Sequence, residues 1–261
     1  MANTLDLSGK TAMVTGASSG LGARFARVLA ENGARVALAS RRLDRLKELR
    51  AEIEADGGSA FVVKLDVTDP QSIAGAIRDV ENDAGPIDVL VNNSGVSTTQ
   101  RLVDVTAEDF DFTFDTNVKG AFFVAQAVGR RMIERARAAP DPAHLPRGRI
   151  INIASMAGLR VVAQIGVYCM SKAAVIHMTR SMAHEWGRYN INVNAICPGY
   201  IRTELNDHHW DTEGGRKLIQ MLPRKRLGQP EDLDGVLLLL ASDQSDFVNA
   251  AVITADDGFG V

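Results

Sequence analysis

Thr11-Ala12-Met13-Val14-Thr15-Gly16-Ala17-Ser18-Ser19-Gly20-Leu21-Gly22 opens as a short apolar run and ends in a glycine-rich turn, after which residues 23–30 have helical composition. A strand, a glycine turn and a helix in that order make a phosphate site. Glycines let the backbone approach a ligand closely, and the helix N-terminus offers free N–H groups at the positive end of its dipole. The spacing Gly-x-x-x-Gly-x-Gly is one residue longer than the common dinucleotide turn, and a tight turn needing positive φ would show the same glycines. The next segment favours the phosphate reading. Residues 35–40, Arg-Val-Ala-Leu-Ala-Ser, supply a second strand after one helix and complete a β-α-β unit of the expected length.

Ser40, Arg41 and Arg42 stand at the end of that second strand. An acidic residue there would suit a ribose 2′-hydroxyl, whereas arginine suits a 2′-phosphate. The pattern therefore points to NADP(H), with NAD(H) as the alternative. Ser19 occupies the glycine turn, where a basic residue would have reinforced NADP(H).

Further strands are expected at 60–67, 87–91, 150–154, 191–196 and 250–254, each separated from the next by a helical stretch. Asp69-Pro70 is a helix start, with Asp as N-cap and Pro in the first turn. Thr106-x-x-Asp109 resembles a capping box with Asp in place of Glu or Gln. One long helix is expected from there through Asn117 to about Ala136, and an Asn in mid-helix requires a reason. Residues 138–148, with Pro140, Pro142 and Pro146, read as an exposed insertion. Residues 200–229 are polar and basic, carry Gly214-Gly215, and read as a mobile flap over a site.

Strands alternating with helices predict an α/β fold in a single domain over 1–261: a doubly wound, parallel seven-stranded sheet with helices on both faces. Ligands in such sheets sit at the carboxyl ends of the strands. Gly16, Arg41, Asp66, Asn92, Ser155 and Pro198 all fall at or just beyond those ends, so one site is the economical expectation. Thirteen residues after Ser155 comes Tyr168-Cys169-Met170-Ser171-Lys172. On a helix the i,i+4 spacing puts the phenol and the ammonium on one face. A phenol titrates near pH ~10, and a fixed cation beside it favours the phenolate. A hydroxyl such as Ser155 would then hold the oxygen on which charge changes.

With these residues in place, the chain resembles the short-chain dehydrogenase/reductase family from Leu7 to about Gly258. The matching motifs, in order, are Thr15-Gly-x-x-x-Gly-x-Gly22, Asp66, Asn92-Asn93-x-Gly95, Asn117, Ser155, Tyr168-x-x-x-Lys172 and Pro198-Gly199. The resemblance implies a Rossmann sheet in the order 3-2-1-4-5-6-7, a nicotinamide cofactor and a catalytic tetrad of Asn117, Ser155, Tyr168 and Lys172. Tyr168 would exchange a proton with the carbonyl oxygen and Ser155 would hydrogen-bond that oxygen. Lys172 would bind the nicotinamide ribose and lower the Tyr168 pKa, and Asn117 would hold a water that relays protons to Lys172. Gly16, Ser18, Ser19, Gly20, Leu21 and Gly22 would line the pyrophosphate and ribose. Arg41 would take the 2′-phosphate, Asp66 and Val67 the adenine, and Asn93 and Gly95 the adenosine side. Pro198, Gly199, Ile201 and Thr203 would meet the nicotinamide carboxamide. A homotetramer or homodimer through the helices holding Asn117 and Lys172 is implied. Ser94 for the usual Ala, the long 138–148 loop and the 256–261 ending depart from the family pattern.

The activity expected is reduction of a ketone, such as a 3-oxoacyl thioester, to a secondary alcohol with NADPH. An NAD-linked secondary-alcohol or polyol dehydrogenase is the alternative, and a non-catalytic nucleotide-binding regulator is the reading from another class. The partners expected are a small carbonyl or alcohol substrate, with no nucleic acid and no membrane. A net charge of −3, from 29 basic and 32 acidic residues, offers no electrostatic case for either of those surfaces. The longest aliphatic run, 236–241, is too short to span a bilayer. Cys169 and Cys197 form no CxxC, so a reducing, cytoplasmic setting and no metal site are expected. His208-His209 lacks ligand spacing, Cys169 faces away from Tyr168 on a helix, and Arg130-Arg131 and Arg224-Lys225-Arg226 read as solvated charge, with an acidic acyl carrier or coenzyme A phosphates as the sharper alternative.

Overall fold

The computed structural model describes residues 5–204 and 206–260; residues 1–4, 205 and 261, which the expected 1–261 domain includes, lie outside the described residues. Strands β1 (Thr11–Thr15), β2 (Arg35–Ser40), β3 (Ser59–Lys64), β4 (Val89–Asn92), β5 (Gly148–Ile153), β6 (Ile191–Pro198) and β7 (Val252–Ala255) form one sheet in the order β3-β2-β1-β4-β5-β6-β7. Every pairing is parallel, with Val14 level with Leu38 on one side and Val91 on the other. β1, β4, β5 and β6 are buried throughout, as continuous apolar strands in a sheet covered on both faces must be.

Helices α1 (Gly20–Glu31), α2 (Leu43–Ala55), α3 (Pro70–Ala84), α4 (Ala107–Phe114), α5 (Ala121–Arg137), α6 (Gly166–Trp186), α7 (Asp207–Trp210), α8 (Glu213–Met221) and α9 (Asp234–Ala241) connect the strands. One apolar layer joins Phe25 and Leu29 of α1, Leu46 of α2 and Leu237 of α9 to one face of the sheet. The other joins Ile77 and Val80 of α3, Val124 and Val128 of α5 and Met182 of α6 to the opposite face. The expected doubly wound α/β domain is what the chain forms. Asp69 caps α3 by accepting from Gln71 N at 2.9 Å, with Pro70 in the first turn.

Three expectations need correction. The long helix through Asn117 is interrupted: a π-helical segment, Asp115–Gly120, separates α4 from α5. Such one-turn widenings cluster at functional sites. The Thr106 box is half formed, since Thr106 Oγ1 accepts from Asp109 N while the Asp109 carboxylate takes the Thr106 hydroxyl and Gln100 Nε2. The 200–229 flap is also more regular than its polarity suggested. It holds α7 and α8, and Thr212 caps α8 by accepting from Gly215 N at 3.0 Å. Gly215 allows close packing, because a Cβ there would lie 2.2 Å from the His209 carbonyl.

The 138–148 insertion precedes β5 and so sits at the opposite edge of the sheet from the strand carboxyl ends, where Arg147 pairs with Asp246 at 2.8 Å. Beside it Arg149 is 2% exposed and reaches Asp246 and the carbonyls of Gly148 and Ser242. Among the described residues no helix is long and apolar enough to cross a membrane.

Candidate active site

The carboxyl edge is organised by hydrogen bonds between the ends of β1 and β4. Thr15 Oγ1 accepts from the backbone N–H of both Asn93 and Ser94 at 2.9 and 3.0 Å, and Asn93 Nδ2 donates to the Thr15 carbonyl at 3.0 Å. This staple fixes the turn that follows. Gly16 and Gly20 have φ of +67° and +54°, and a Cβ on Gly22 would lie 2.3 Å from the Gly16 carbonyl oxygen. Only glycine fits there. Ser19 precedes α1 without a side-chain cap, which leaves the first N–H groups of the helix available to a ligand. Leu21 turns into the core, so its contribution to the turn is backbone only.

At the end of β2 the two arginines differ. Arg42 donates from Nε to Ser18 Oγ at 3.0 Å and from Nη2 to Ser19 Oγ at 2.6 Å, which places its guanidinium against the glycine turn. Arg41, the one singled out above, is 69% exposed at its side chain and lies 3.8 Å from Asp66. Burial works to raise the Asp66 carboxyl, but the Thr68 N–H and hydroxyl, with Arg41, outweigh it and hold the group below its usual range. The Val67 carbonyl backs onto Gly120, where a Cβ would lie 2.8 Å from it. At the β6 end, Pro198 closes the strand and Gly199 packs so closely on Asp256 that a Cβ would meet its Cα at 2.6 Å. Ile201 is buried and bridges to Gly228, and Thr203 lies over Gly20.

Ser155, Asn117, Tyr168 and Lys172 come together on the same edge. Ser155 N-caps the single turn Met156–Gly158 by accepting from Ala157 N at 3.1 Å. Burial pushes the Tyr168 phenol up, and the Ser155 side chain pulls it back. Lys172 is 5% exposed; desolvation lowers its ammonium from 10.5 to about 8. Its Nζ donates to the Ile153 carbonyl at 2.8 Å and stands 5.6 Å from the Tyr168 ring centroid. The expected depression of the Tyr168 pKa by Lys172 is therefore not what this geometry delivers. The ammonium is occupied by a backbone carbonyl and faces the ring, so burial decides the direction. Cys197, also buried on this edge, is pushed up to about 11 by desolvation and is an inert thiol at neutral pH.

Asn117 has its reason in the π turn. Its Oδ1 accepts from Val96 N and its Nδ2 donates to Val96 O, both at 2.8 Å, and Nδ2 also donates to Ser171 Oγ at 3.0 Å. Ser171 Oγ in turn donates to the Tyr168 carbonyl at 2.7 Å. The amide thus ties the loop after β4 to α6. Gly95 sits between Asn117 and Lys172, because a Cβ there would be 3.4 Å from both Asn117 Oδ1 and Lys172 Nζ.

Cys169 is packed with Met156 and Ala157, Arg131 pairs with Glu81 and Glu134, and Arg224 and Arg226 pair with Asp257 and Asp232. Sequence reading missed Arg42 as the arginine on the turn, although Ser40-Arg41-Arg42 carried the signal. It also missed Phe259, which packs against the same Met156, Ala157 and Cys169 group as Tyr168.

A glycine cradle without room for a Cβ, an uncapped helix N-terminus and an arginine on the turn fit a dinucleotide phosphate group. Residues 16–260 match a family described as enoyl-(acyl carrier protein) reductase. The chain is 38% identical to gluconate 5-dehydrogenase of Gluconobacter oxydans over 98% of its own length and 96% of that protein's. It is also 38% identical to sorbitol dehydrogenase of Cereibacter sphaeroides, covering 97% and 98% of the two chains. The crystal structure of a gluconate 5-dehydrogenase from Burkholderia cenocepacia in complex with NADP and tartrate superposes with a TM-score of 0.90 at 34% identity, covering 98% and 97% of the chains. A short-chain type dehydrogenase/reductase from Mycobacterium marinum superposes with a TM-score of 0.91 at 39% identity, covering 98% and 97%. With these matches over nearly its whole length, the chain belongs to the short-chain dehydrogenase/reductase family, NAD(P)-binding oxidoreductases that act on CH–OH groups.

Proposed function

We propose that the protein interconverts a secondary alcohol and a ketone with a nicotinamide dinucleotide, NADP(H) in preference to NAD(H). The observation that carries this is the meeting of Ser155, Tyr168 and Lys172 at the strand ends, beside a glycine turn that Arg42 overhangs. The nicotinamide, when bound, supplies or accepts the hydride. Burial keeps the Tyr168 phenol protonated, so it gives its proton to the carbonyl oxygen in reduction and takes it back in oxidation. Ser155 holds that oxygen. Lys172, at about 8, exchanges protons readily near neutral pH and restores the charge of Tyr168 after each turnover. Asn117, across Gly95 from Lys172, keeps Val96 and α6 in register and would hold a water that relays protons toward the ammonium.

Ser18, Ser19 and the α1 N-terminus hold the pyrophosphate; Arg42, with Arg41 beside it, takes the 2′-phosphate. Asp66 and Val67 border the adenine, and Ile201 and Thr203 the carboxamide. The NADP in several related structures supports the cofactor preference. Phe112, Phe122, Phe123 and Met170 are partly exposed on α4, α5 and α6, apolar surface that a homotetramer or homodimer pairing through these helices would cover.

The names of the relatives favour a polyol or sugar-acid substrate. The apolar cluster of Trp210, Leu222 and Leu227 with Tyr200 and Phe259 favours a ketone with an apolar arm, such as a 3-oxoacyl thioester. Steady-state rates on a panel of polyols, sugar acids and 3-oxoacyl thioesters with both cofactors separate the two. Turnover of none of these would refute the reading.

A further inference from the structure

Phe259 packs against two separate apolar groups. One contains Met156 and Ala157 of the loop after Ser155, with Cys169 and Tyr168 of α6. The other contains Trp210 and Leu222 of the flap, with Tyr200 at its base. The rings form a chain: Phe259 to Tyr200 at 5.5 Å between centroids, and Tyr200 to Trp210 at 5.7 Å. The backbone of Phe259 is held as well. Arg160, five residues after Ser155, donates from Nη1 to the Phe259 carbonyl at 2.6 Å and lays its guanidinium 5.7 Å from the centre of the Phe259 ring. Asp256 shapes the preceding turn by accepting from Gly258 N through its Oδ1 and from Phe259 N through its carbonyl, both at 3.1 Å. Arg224 of the flap pairs with Asp257 in the same turn at 3.0 Å.

The flap is tied at its two ends, by Arg45 to Glu204 at 2.7 Å and by Arg226 to Asp232 at 2.9 Å. α7 and α8 are short and largely exposed, and their buried side chain, Trp210, belongs to the cluster that Phe259 joins. A cavity of about 280 Å³ runs beneath the flap past Tyr200, Leu222 and Asp256. Phe259, which packs on both the flap cluster and the cluster that Tyr168 joins, therefore stands where the flap meets the catalytic loop.

We propose that Phe259, clasped by Arg160, is a positioning and specificity-determining residue: it holds the flap against the catalytic loop and sets the size of the substrate group admitted beside Tyr168. This rests on the assignment of the Tyr168 site to carbonyl reduction, but the flap position can be read without turnover.

Limited trypsin digestion of the whole protein provides that reading, through cleavage at Arg216, Lys217, Arg224 and Lys225. In Phe259→Ala cleavage is expected to be about tenfold faster, the scale of a lost aromatic contact that also anchors a local opening. Phe259→Leu should restore most of the protection, and Arg160→Gln should shift in the same direction by about threefold. On a ketone series of increasing bulk, Phe259→Ala should raise KM for small members and move the kcat/KM optimum to larger ones. Its NADPH affinity, from nucleotide fluorescence, should stay within about twofold because Phe259 touches no part of the glycine turn. Unchanged digestion in both Phe259→Ala and Arg160→Gln would overturn the clasp, whether or not any ketone is turned over. An unchanged size preference in a series that the enzyme does reduce would overturn the specificity role.

Discussion

Lys172 turns its ammonium toward the Ile153 carbonyl, 2.8 Å away, and presents Tyr168 with a cation 5.6 Å from the ring centre rather than one seated on the phenol oxygen. The pair read from the i,i+4 spacing is real as a neighbourhood, but its electrostatics are governed by burial. The tyrosine is raised and the lysine lowered.

The lysine makes stability depend on pH. Its folded-state value of about 8 lies below the ordinary 10.5. Between those values the unfolded chain binds a proton that the folded chain has released, so raising the pH through this window adds stability, by at most ~3 kcal/mol. Urea unfolding of the protein and of Lys172→Met should show the wild type gaining on the variant from about pH 8 to about pH 10, a comparison in which Tyr168 and Cys197 are common to both proteins. A constant difference across that range would contradict the burial of a neutralisable ammonium.

Gly22 tests the turn. A Cβ there meets the Gly16 carbonyl at 2.3 Å and Asn93 Nδ2 at 2.6 Å, neither of which can move without disturbing the Thr15–Asn93 staple. Gly22→Ala should weaken NADPH binding by at least about tenfold in fluorescence titration, since the phosphate cradle is backbone. Retained affinity would mean that the dinucleotide does not sit in this turn.

Arg42 tests the cofactor preference. Its guanidinium already bridges Ser18 and Ser19, whereas Arg41 is mostly in solvent near Asp66. Arg42→Gln should raise the Kd of NADPH by about tenfold and leave that of NADH within about twofold, as loss of a charged contact to a phosphate would. Arg41→Gln should do the same more weakly. Equal losses for the two cofactors would remove the 2′-phosphate assignment.

Asn117 holds three hydrogen bonds across the π turn. Asn117→Ala leaves Val96 N–H and C=O without these partners and should destabilise the fold by about 2 kcal/mol in denaturant unfolding. Asn117→Asp keeps the acceptor for Val96 N but turns the donor to Val96 O into a second acceptor, and should recover only part of that loss. Full stability in Asn117→Ala would show that the amide does not pin the loop after β4.

Much of this was legible in the chain itself because a parallel sheet writes itself plainly. β1 and β4 are short, largely apolar runs, and the glycines at 16, 20 and 22 follow the first where the chain must turn. The tetrad positions lie just past such runs or on the helix after them, so they could be placed on one edge. The π turn at Asp115–Gly120 left no such trace, because one widened turn barely disturbs helical periodicity. Gly214-Gly215 suggested mobility, yet Gly215 is glycine because His209 O occupies the place of a Cβ. Arg149 is charged by composition and buried because Asp246 and the Ser242 carbonyl, both distant in sequence, surround it together with the adjacent Gly148 carbonyl. Phe259 similarly belongs to the site through contacts that no local pattern encodes.

The central claim is that Tyr168 is the proton donor in hydride exchange between a ketone and NADPH. Tyr168→Phe keeps the ring that packs against Met156, Ala157 and Cys169 and removes only the hydroxyl. The account predicts that turnover of any substrate accepted by the wild type falls by at least about a thousandfold, within the range of lost acid–base catalysis, while NADPH binding by fluorescence is unchanged. Undiminished turnover in Tyr168→Phe would contradict it.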